Sequence, residues 1–260
     1  MNRIDLFFDG QQGVGLVTYL TAGDPDHDTS AALLTALAEN GADMVEIGMP
    51  FSDPMADGPA IQAAALRALE NDADMHQTLE LAKGLRDHHA DIPIILMGYA
   101  NPIFQYGVAG FCSDAAQAGV DGLIIVDLPP EESDLIVGHA RENNIHLIYL
   151  VTPTTTEDRL QTILKRASGF LYYVSITGIT GTGSAITQDI EKRIEWLRGQ
   201  TDLPISVGFG IKTPDDAASM AKTGCDAVVV GSALVEAIAR ADDPLKTCAD
   251  MTKGLKEALS

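Results

Sequence analysis

Glu46 stands in the middle of the apolar run Met44-Val45-Glu46-Ile47-Gly48, and Asp57 follows eleven positions later in a segment, Met49 to Pro59, crowded with proline, glycine, serine and aspartate. Burying an unpaired charge is strongly unfavourable, so a glutamate inside a short apolar strand needs a reason beyond packing. The turn formers behind it predict that the strand ends in a shaped loop carrying the second carboxylate. Two carboxylates so placed, one on a strand and one on its loop, are equipment for acid/base chemistry.

Three glycine clusters could serve an anion. Gly178-Ile179-Thr180-Gly181-Thr182-Gly183 follows the sixth predicted strand, Gly208-Phe209-Gly210 the seventh, and Gly231-Ser232 the eighth. Glycines let a phosphate approach backbone N–H groups, and a helix start behind them adds favourable partial charge. The alternative is that they only make tight turns. None of the three contains lysine or arginine, so a grip on phosphate would be mainly backbone amide. Residues 176–187, rich in glycine and hydroxyls, read as a long strand-to-helix connection, either a lid or an ordinary surface loop. Tyr172, with Val174 two residues on and so on the same strand face, is either a packed tyrosine or a group that helps position substrate.

Other chemistries find less support. His88 and His89 are adjacent near a helix end, His146 opens a strand at the end of the barrel away from the expected site, and His27, His76 and His139 are scattered, without metal-ligand spacing. The lysines lie outside the strand cores, Lys212 after the seventh strand being the nearest to one, so a Schiff-base lysine is not indicated. No Gly-x-Gly-x-x-Gly turn follows the first strand, as a nicotinamide site would require.

The elements that must position these groups repeat along the chain. Apolar, β-rich runs at Leu16–Thr21, Met44–Gly48, Ile94–Tyr99, Gly122–Asp127, His146–Val151, Phe170–Ser175, Ile205–Phe209 and Ala227–Gly231 are separated by helix-length amphipathic stretches. Continuous apolar runs are expected of parallel strands covered on both faces. Gly41-Ala42-Asp43, Gly119-Val120-Asp121 and Gly224-Cys225-Asp226 each place glycine at a helix end two residues before an acid that opens a strand. Pro93 and Pro204 mark two further joints, and Thr213-Pro214-Asp215-Asp216 carries the signals of a capped helix start. Eight such units predict an α/β fold, a single (β/α)8 barrel domain over residues 1–260 with a short N-terminal helix; a doubly wound open sheet is the alternative. In a barrel, chemistry gathers at the C-terminal ends of the strands, where Glu46, Asp57 and the glycine clusters would all lie.

Composition bounds the rest. Thirty-seven acids against seventeen lysines and arginines give a net charge of −20 over 260 residues, a poor match for nucleic acid or anionic membrane. The apolar runs are strand-length, well short of the roughly 20 residues that span a bilayer. The start of the chain interleaves acids with apolar residues and does not read as a secretory signal, and Cys112, Cys225 and Cys248 are an odd, widely spaced set that fits reduced thiols. A cytoplasmic protein is expected.

The stretch Glu46-Ile47-Gly48-Met49-Pro50-Phe51-Ser52-Asp53-Pro54-Met55-Ala56-Asp57-Gly58-Pro59-Ala60-Ile61-Gln62 closely resembles the signature of the tryptophan synthase alpha subunit family. The resemblance runs the length of the chain. It continues through Leu20-Thr21-Ala22-Gly23-Asp24-Pro25, Tyr99-Ala100-Asn101-Pro102, Asp127-Leu128-Pro129-Pro130-Glu131-Glu132, Gly178-Ile179-Thr180-Gly181 and Gly208-Phe209-Gly210-Ile211.

What it implies is a lyase of tryptophan biosynthesis that cleaves indole-3-glycerol phosphate to indole and glyceraldehyde 3-phosphate by a retro-aldol reaction, with no cofactor in this chain. Glu46 would be the main acid/base, Asp57 would accept a hydrogen bond from the indole N–H, and Tyr172 would support them. Gly181, Gly210, Gly231 and Ser232 match phosphate-binding positions, and Tyr19, Met97, Val174 and Phe209 would line the indole pocket. The expected partner is a beta subunit, a pyridoxal phosphate enzyme that takes up indole in an alpha2beta2 complex. Loops carrying Asp53 and Thr180 would close over substrate and communicate with it. Gly181–Ala185 lacks a basic residue common there in relatives. The competing functions are a freestanding indole-3-glycerol phosphate lyase and a noncatalytic barrel that binds a phosphate ligand or serves as an allosteric partner.

Overall fold

Eight parallel strands pair in chain order and close on themselves. They are β1 (Gly15–Thr21), β2 (Met44–Gly48), β3 (Ile94–Gly98), β4 (Gly122–Ile125), β5 (His146–Val151), β6 (Leu171–Val174), β7 (Ile205–Gly208) and β8 (Ala227–Val230). Helix α1 (Arg3–Gly10) precedes the barrel, and α2 (His27–Glu39), α3 (Pro59–Glu70), α4 (Met75–His88), α5 (Ala100–Tyr106) and α6 (Val108–Gln117) belong to its first half. The second half carries α7 (Asp134–Glu142), α8 (Glu157–Leu164), α9 (Gly183–Arg198), α10 (Pro214–Ala221), α11 (Ser232–Ala239) and α12 (Pro244–Ala258). This computed structural model describes residues 1–174, 183–208 and 210–260, with the backbone alone at 183–186.

The closed barrel replaces the open-sheet alternative. Several strands are shorter than the apolar runs predict. Tyr99, Val126 and Asp127 lie beyond the ends of β3 and β4, Phe170 lies before β6, and Gly231 caps a helix. Apolar character outlasts the strands at Tyr99 and Phe170 because both side chains stay buried, whereas Asp127 is exposed. The connection read as running to Thr187 is helical from Gly183, and Ile190, Ile194 and Leu197 further along α9 supply the buried stripe that holds it to the barrel.

Alternation along the strands sends one set of side chains outward to the helices and the other into the barrel. The interior set includes Val17, Met44, Ile95, Ile124, Ile148, Phe170 and Val229, joined at the N-terminal end by Ile4, Phe7 and Phe8 of α1. Phe8 meets Phe170 edge-on at 5.8 Å between ring centres. Asn2 caps α1 by accepting from the Ile4 N–H at 2.8 Å and donates to the Asp121 carbonyl at 2.9 Å, so the helix is pinned as a plug across the barrel floor.

The three glycine-acid joints share one construction. Gly41, Gly119 and Gly224 all adopt positive φ. At two of them the absence of a side chain also makes room for a cation: a Cβ on Gly119 would come within 2.6 Å of Arg86, and one on Gly41 within 2.8 Å of Lys256. The acids then receive an N–H at the start of the preceding strand, Leu16 onto Asp43 at 2.6 Å, Ile94 onto Asp121 at 2.9 Å and Ile205 onto Asp226 at 2.7 Å. Lys256, Arg86 and Arg198 complete the pairs at 2.7, 2.9 and 2.8 Å. Each joint thus satisfies a strand end that would otherwise be left without an acceptor. The capping box predicted at Thr213 and Asp216 is present, and the cysteines are free and buried. Among the described residues no helix is long and apolar enough to cross a membrane.

Candidate active site

Glu46 is two residues on from Met44 and shares its face, so it points into the barrel one layer above the packed floor. The register sets it between Tyr19 of β1 and Ile95 of β3. Its side chain is 1% exposed, and neither carboxyl oxygen has a hydrogen-bond partner among the described residues. Burial without a counter-charge pushes its pKa up to about 8, because desolvation penalises the charged form. A carboxyl with that pKa is largely protonated at neutral pH and can both give and take a proton there.

Tyrosines flank it. Tyr19 is buried and packs against two glycines: a Cβ on Gly48 would overlap the Tyr19 hydroxyl, and one on Gly231 would lie 3.1 Å from the Tyr19 Cβ. Its hydroxyl is 3.3 Å from the Thr21 hydroxyl. Burial first, then the neighbouring carboxylates Asp57 and Glu46, raise its pKa, so it stays a neutral phenol. Tyr172, half-buried on β6, likewise lies over Gly208, where a Cβ would overlap its hydroxyl. Burial and then the charge of Glu46 hold it well above the ordinary tyrosine value. Both rings therefore lie near Glu46, and glycines on the adjoining strands leave them room.

Asp57 is half-buried in the connection from β2 to α3, its pKa raised by burial and partly restored by Tyr99. The loop around it is internally tied: the Asp57 N–H donates to the Pro54 carbonyl at 3.1 Å, and Gln62 donates to the Asp57 carbonyl at 2.8 Å. Asp53 in the same loop is exposed and accepts from the Ser52 hydroxyl at 2.5 Å. Met97 and Val174 are half-buried. Met97 packs against the interior cluster, and Val174 follows Tyr172 on the same face.

At the far wall Gly231 is the N-cap of α11 and makes no side-chain cap bond, so it presents main-chain amides at a helix start with Ser232 as the first helical residue. Gly210 adopts φ +78°, a conformation that favours glycine. Thr180, Gly181 and Phe209 lie outside the described residues. The structure thus sets Glu46 close to Tyr19 and Tyr172 and Asp57 close to Tyr19, with Met97 and Val174 on inward-facing strand positions, and places Gly210, Gly231 and Ser232 beyond the C-terminal ends of β7 and β8.

Tyr99 and Asp127, which stand in the sequence only as parts of motifs, both make contacts that shape this end of the barrel. The Tyr99 hydroxyl accepts the Ala56 N–H at 3.0 Å, and the Asp127 carboxylate accepts the Ala100 N–H at 2.8 Å. Asp24, in the connection after β1, is gripped bidentately by Arg67 of α3 at 2.7 and 2.8 Å. A polar residue at the end of an apolar run was the available signal for the first two; the Asp24–Arg67 pair joins distant segments and had none.

Comparison with known proteins agrees with this geometry. The family model for "Tryptophan synthase alpha chain" matches residues 8–259. A tryptophan synthase alpha chain from Gluconobacter oxydans is 54% identical over 242 residues, which cover 92% of this chain and 89% of that one. Another from Acidiphilium cryptum is 54% identical over 225 residues, 86% and 81% of the two chains. Among solved structures, tryptophan synthase subunit alpha from Legionella pneumophila superposes with a TM-score of 0.92 at 39% identity, covering 100% of this chain and 98% of that one. A tryptophan synthase structure from M. tuberculosis gives 0.90 at 32% identity, covering 99% and 98%. The chain belongs to the tryptophan synthase alpha chain family.

Proposed function

We propose that Glu46 and Asp57 divide between them the cleavage of indole-3-glycerol phosphate. The chain is a lyase of tryptophan biosynthesis that breaks this substrate into indole and glyceraldehyde 3-phosphate. The bond to be broken joins indole C3 to the first glycerol carbon. Protonation at C3 makes the ring nitrogen iminium-like, so the indole itself accepts the electron pair of the breaking bond. The hydroxyl on the leaving carbon gives up its proton and becomes the aldehyde. One proton enters at C3 and one leaves the hydroxyl, so the balance closes without a co-reactant.

The single observation that carries this reading is the buried, unpartnered carboxyl of Glu46 with its pKa near neutrality. Protonated Glu46 delivers the proton to C3, and the resulting carboxylate takes the proton of the glycerol hydroxyl. Asp57, ionised, accepts the indole N–H and stabilises the charge that develops on the ring. Tyr172 supports the cavity, Tyr19, Met97, Val174 and Phe209 line the indole pocket, and amides at Gly181, Gly210, Gly231 and Ser232 hold the phosphate. This chemistry asks for no cofactor in this chain, and pyridoxal phosphate belongs to the beta partner.

The partner reading is supported by exposed apolar side chains on successive connections. Met55 after β2 is 77% exposed, Phe104 on α5 after β3 is 41% exposed and Leu135 on α7 after β4 is 53% exposed. All three lie toward the end of the barrel that holds the site. A beta subunit seated there, in an alpha2beta2 complex in the cytoplasm, would cover them and adjoin the loops carrying Asp53 and Thr180.

The test is indole release from indole-3-glycerol phosphate by wild type and Glu46→Gln, alone and with a beta subunit. The expected result is a loss of about 10³-fold in the variant and strong activation of the wild type by the partner. An active Glu46→Gln enzyme would overturn the catalytic assignment, and cleavage indifferent to the partner would favour a freestanding lyase.

A further inference from the structure

We infer that Tyr99 is the positioning residue for Asp57: its hydroxyl, held by the Ala56 N–H at 3.0 Å, fixes the loop that carries the carboxylate and aims that carboxylate into the cavity. The inference rests on the proposed role of Asp57. Tyr99 sits just past the end of β3 and is 2% exposed, so its ring has little freedom. Phe51, at the start of the same loop, packs on that ring with 5.3 Å between centres. The loop is therefore gripped twice by one side chain, through the Phe51 ring near its start and through the Ala56 amide next to Asp57.

Having accepted from Ala56, the Tyr99 hydroxyl has its own proton left to donate, and the group facing it is the Asp57 carboxylate. Donation from that hydroxyl opposes the effect of burial and favours the ionised form of Asp57. Tyr99 itself is pushed up to about 12, by burial first and by Asp57 and Asp127 besides, so it remains a donor throughout the working pH range. The backbone behind it is fixed in turn, because Asp127 from the end of β4 accepts the Ala100 N–H at 2.8 Å. The other titratable groups toward this corner are Tyr19 of β1 and, deeper, Glu46 of β2. Among the described residues, burial and Tyr99 are what set the shift of Asp57.

Tyr99→Phe keeps the ring on Phe51 and deletes the hydroxyl. Cleavage of indole-3-glycerol phosphate by the full chain with its beta partner should show kcat reduced about 10- to 100-fold with KM changed far less, and the acid limb of the kcat/KM profile raised by about half to one pH unit. In an Asp57→Asn background the same change should add less than about twofold, since Tyr99 acts through that carboxylate. A wild-type kcat with an unmoved acid limb, or a full multiplicative loss in the double variant, overturns the inference. If Tyr99→Phe folds poorly, 3-fluorotyrosine at position 99 retains the ring and strengthens the donor, and should move the acid limb down; an unmoved limb again overturns it. Asp57→Asn alone separates the two readings: full activity there refutes the role of Asp57, whereas an impaired Asp57→Asn beside an unaffected Tyr99→Phe refutes only the role of Tyr99.

Discussion

Asp121 and Glu46 are both buried carboxylates of one barrel, 2% and 1% exposed, and they are treated in opposite ways. Asp121, at the floor, receives the Ile94 N–H at 2.9 Å and is paired with Arg86 at 2.9 Å and Arg3 at 3.0 Å. Glu46, one layer above the floor, receives no hydrogen bond from the described residues. The first arrangement satisfies every demand of a buried charge. The second leaves the demand open, and the carboxyl answers it by holding a proton to about pH 8. One end of the barrel is built for stability, and the other accepts a stability deficit in exchange for a group that reacts.

Substitutions at the two carboxylates should therefore have opposite signatures. Glu46→Gln should abolish cleavage, a loss of about 10³-fold, yet produce a protein more stable than wild type near pH 7. Asp121→Asn should lower the unfolding free energy by about 3 kcal/mol, since it strands Arg86 and weakens the Ile94 cap, while kcat per folded molecule stays near the wild-type value. Indole release and urea unfolding measured on both variants give the comparison, and a Glu46→Gln protein less stable than wild type would break it.

Asp57→Asn should reduce kcat by about 10- to 100-fold, less than Glu46→Gln, because it removes electrostatic stabilisation rather than the proton itself. At the floor again, Lys256→Met should remove the cation from Asp43 at the surface-facing joint for a loss of about 1 kcal/mol, detectable as a small fall in melting temperature with unchanged kinetics. Ranked together, the variants at the top should spread in activity and those at the floor in stability.

The floor and the top also differed in how much of them could be read from residues. The eight apolar runs, the glycine-acid joints and the Thr213 cap are local patterns, each spanning a few residues, and the barrel follows from their repetition. Glu46 was conspicuous for the same reason, a charge where the pattern demands an apolar side chain. What the pattern did not contain was pairing across the fold. That the acids of the joints hold Lys256, Arg86 and Arg198, that Asp24 is gripped by Arg67, and that Tyr99 reaches Ala56 all depend on segments tens of residues apart being brought together. Strand ends differ from the apolar runs where interior-facing apolar residues outlast the ladder, as at Tyr99 and Phe170. The roles given to Thr180, Gly181 and Phe209 rest on the motif alone, since these residues lie outside those the structure describes.

The account turns on Glu46 sitting in the cavity unpaired and protonated, and the difference in unfolding free energy between wild type and Glu46→Gln, followed from pH 5 to pH 9, tests this most directly. Its folded-state pKa, about 8, lies above the ordinary value of 4.5, so between those values the folded state holds a proton that the unfolded state has released. Stability present below the lower value is therefore lost as pH rises through the window. Wild type should fall behind the variant by about 1.4 kcal/mol per pH unit, reaching on the order of 3 kcal/mol at pH 7, and level off above about pH 8. A difference that does not change with pH would mean that Glu46 is ionised and partnered in the folded protein, and would contradict the proposal.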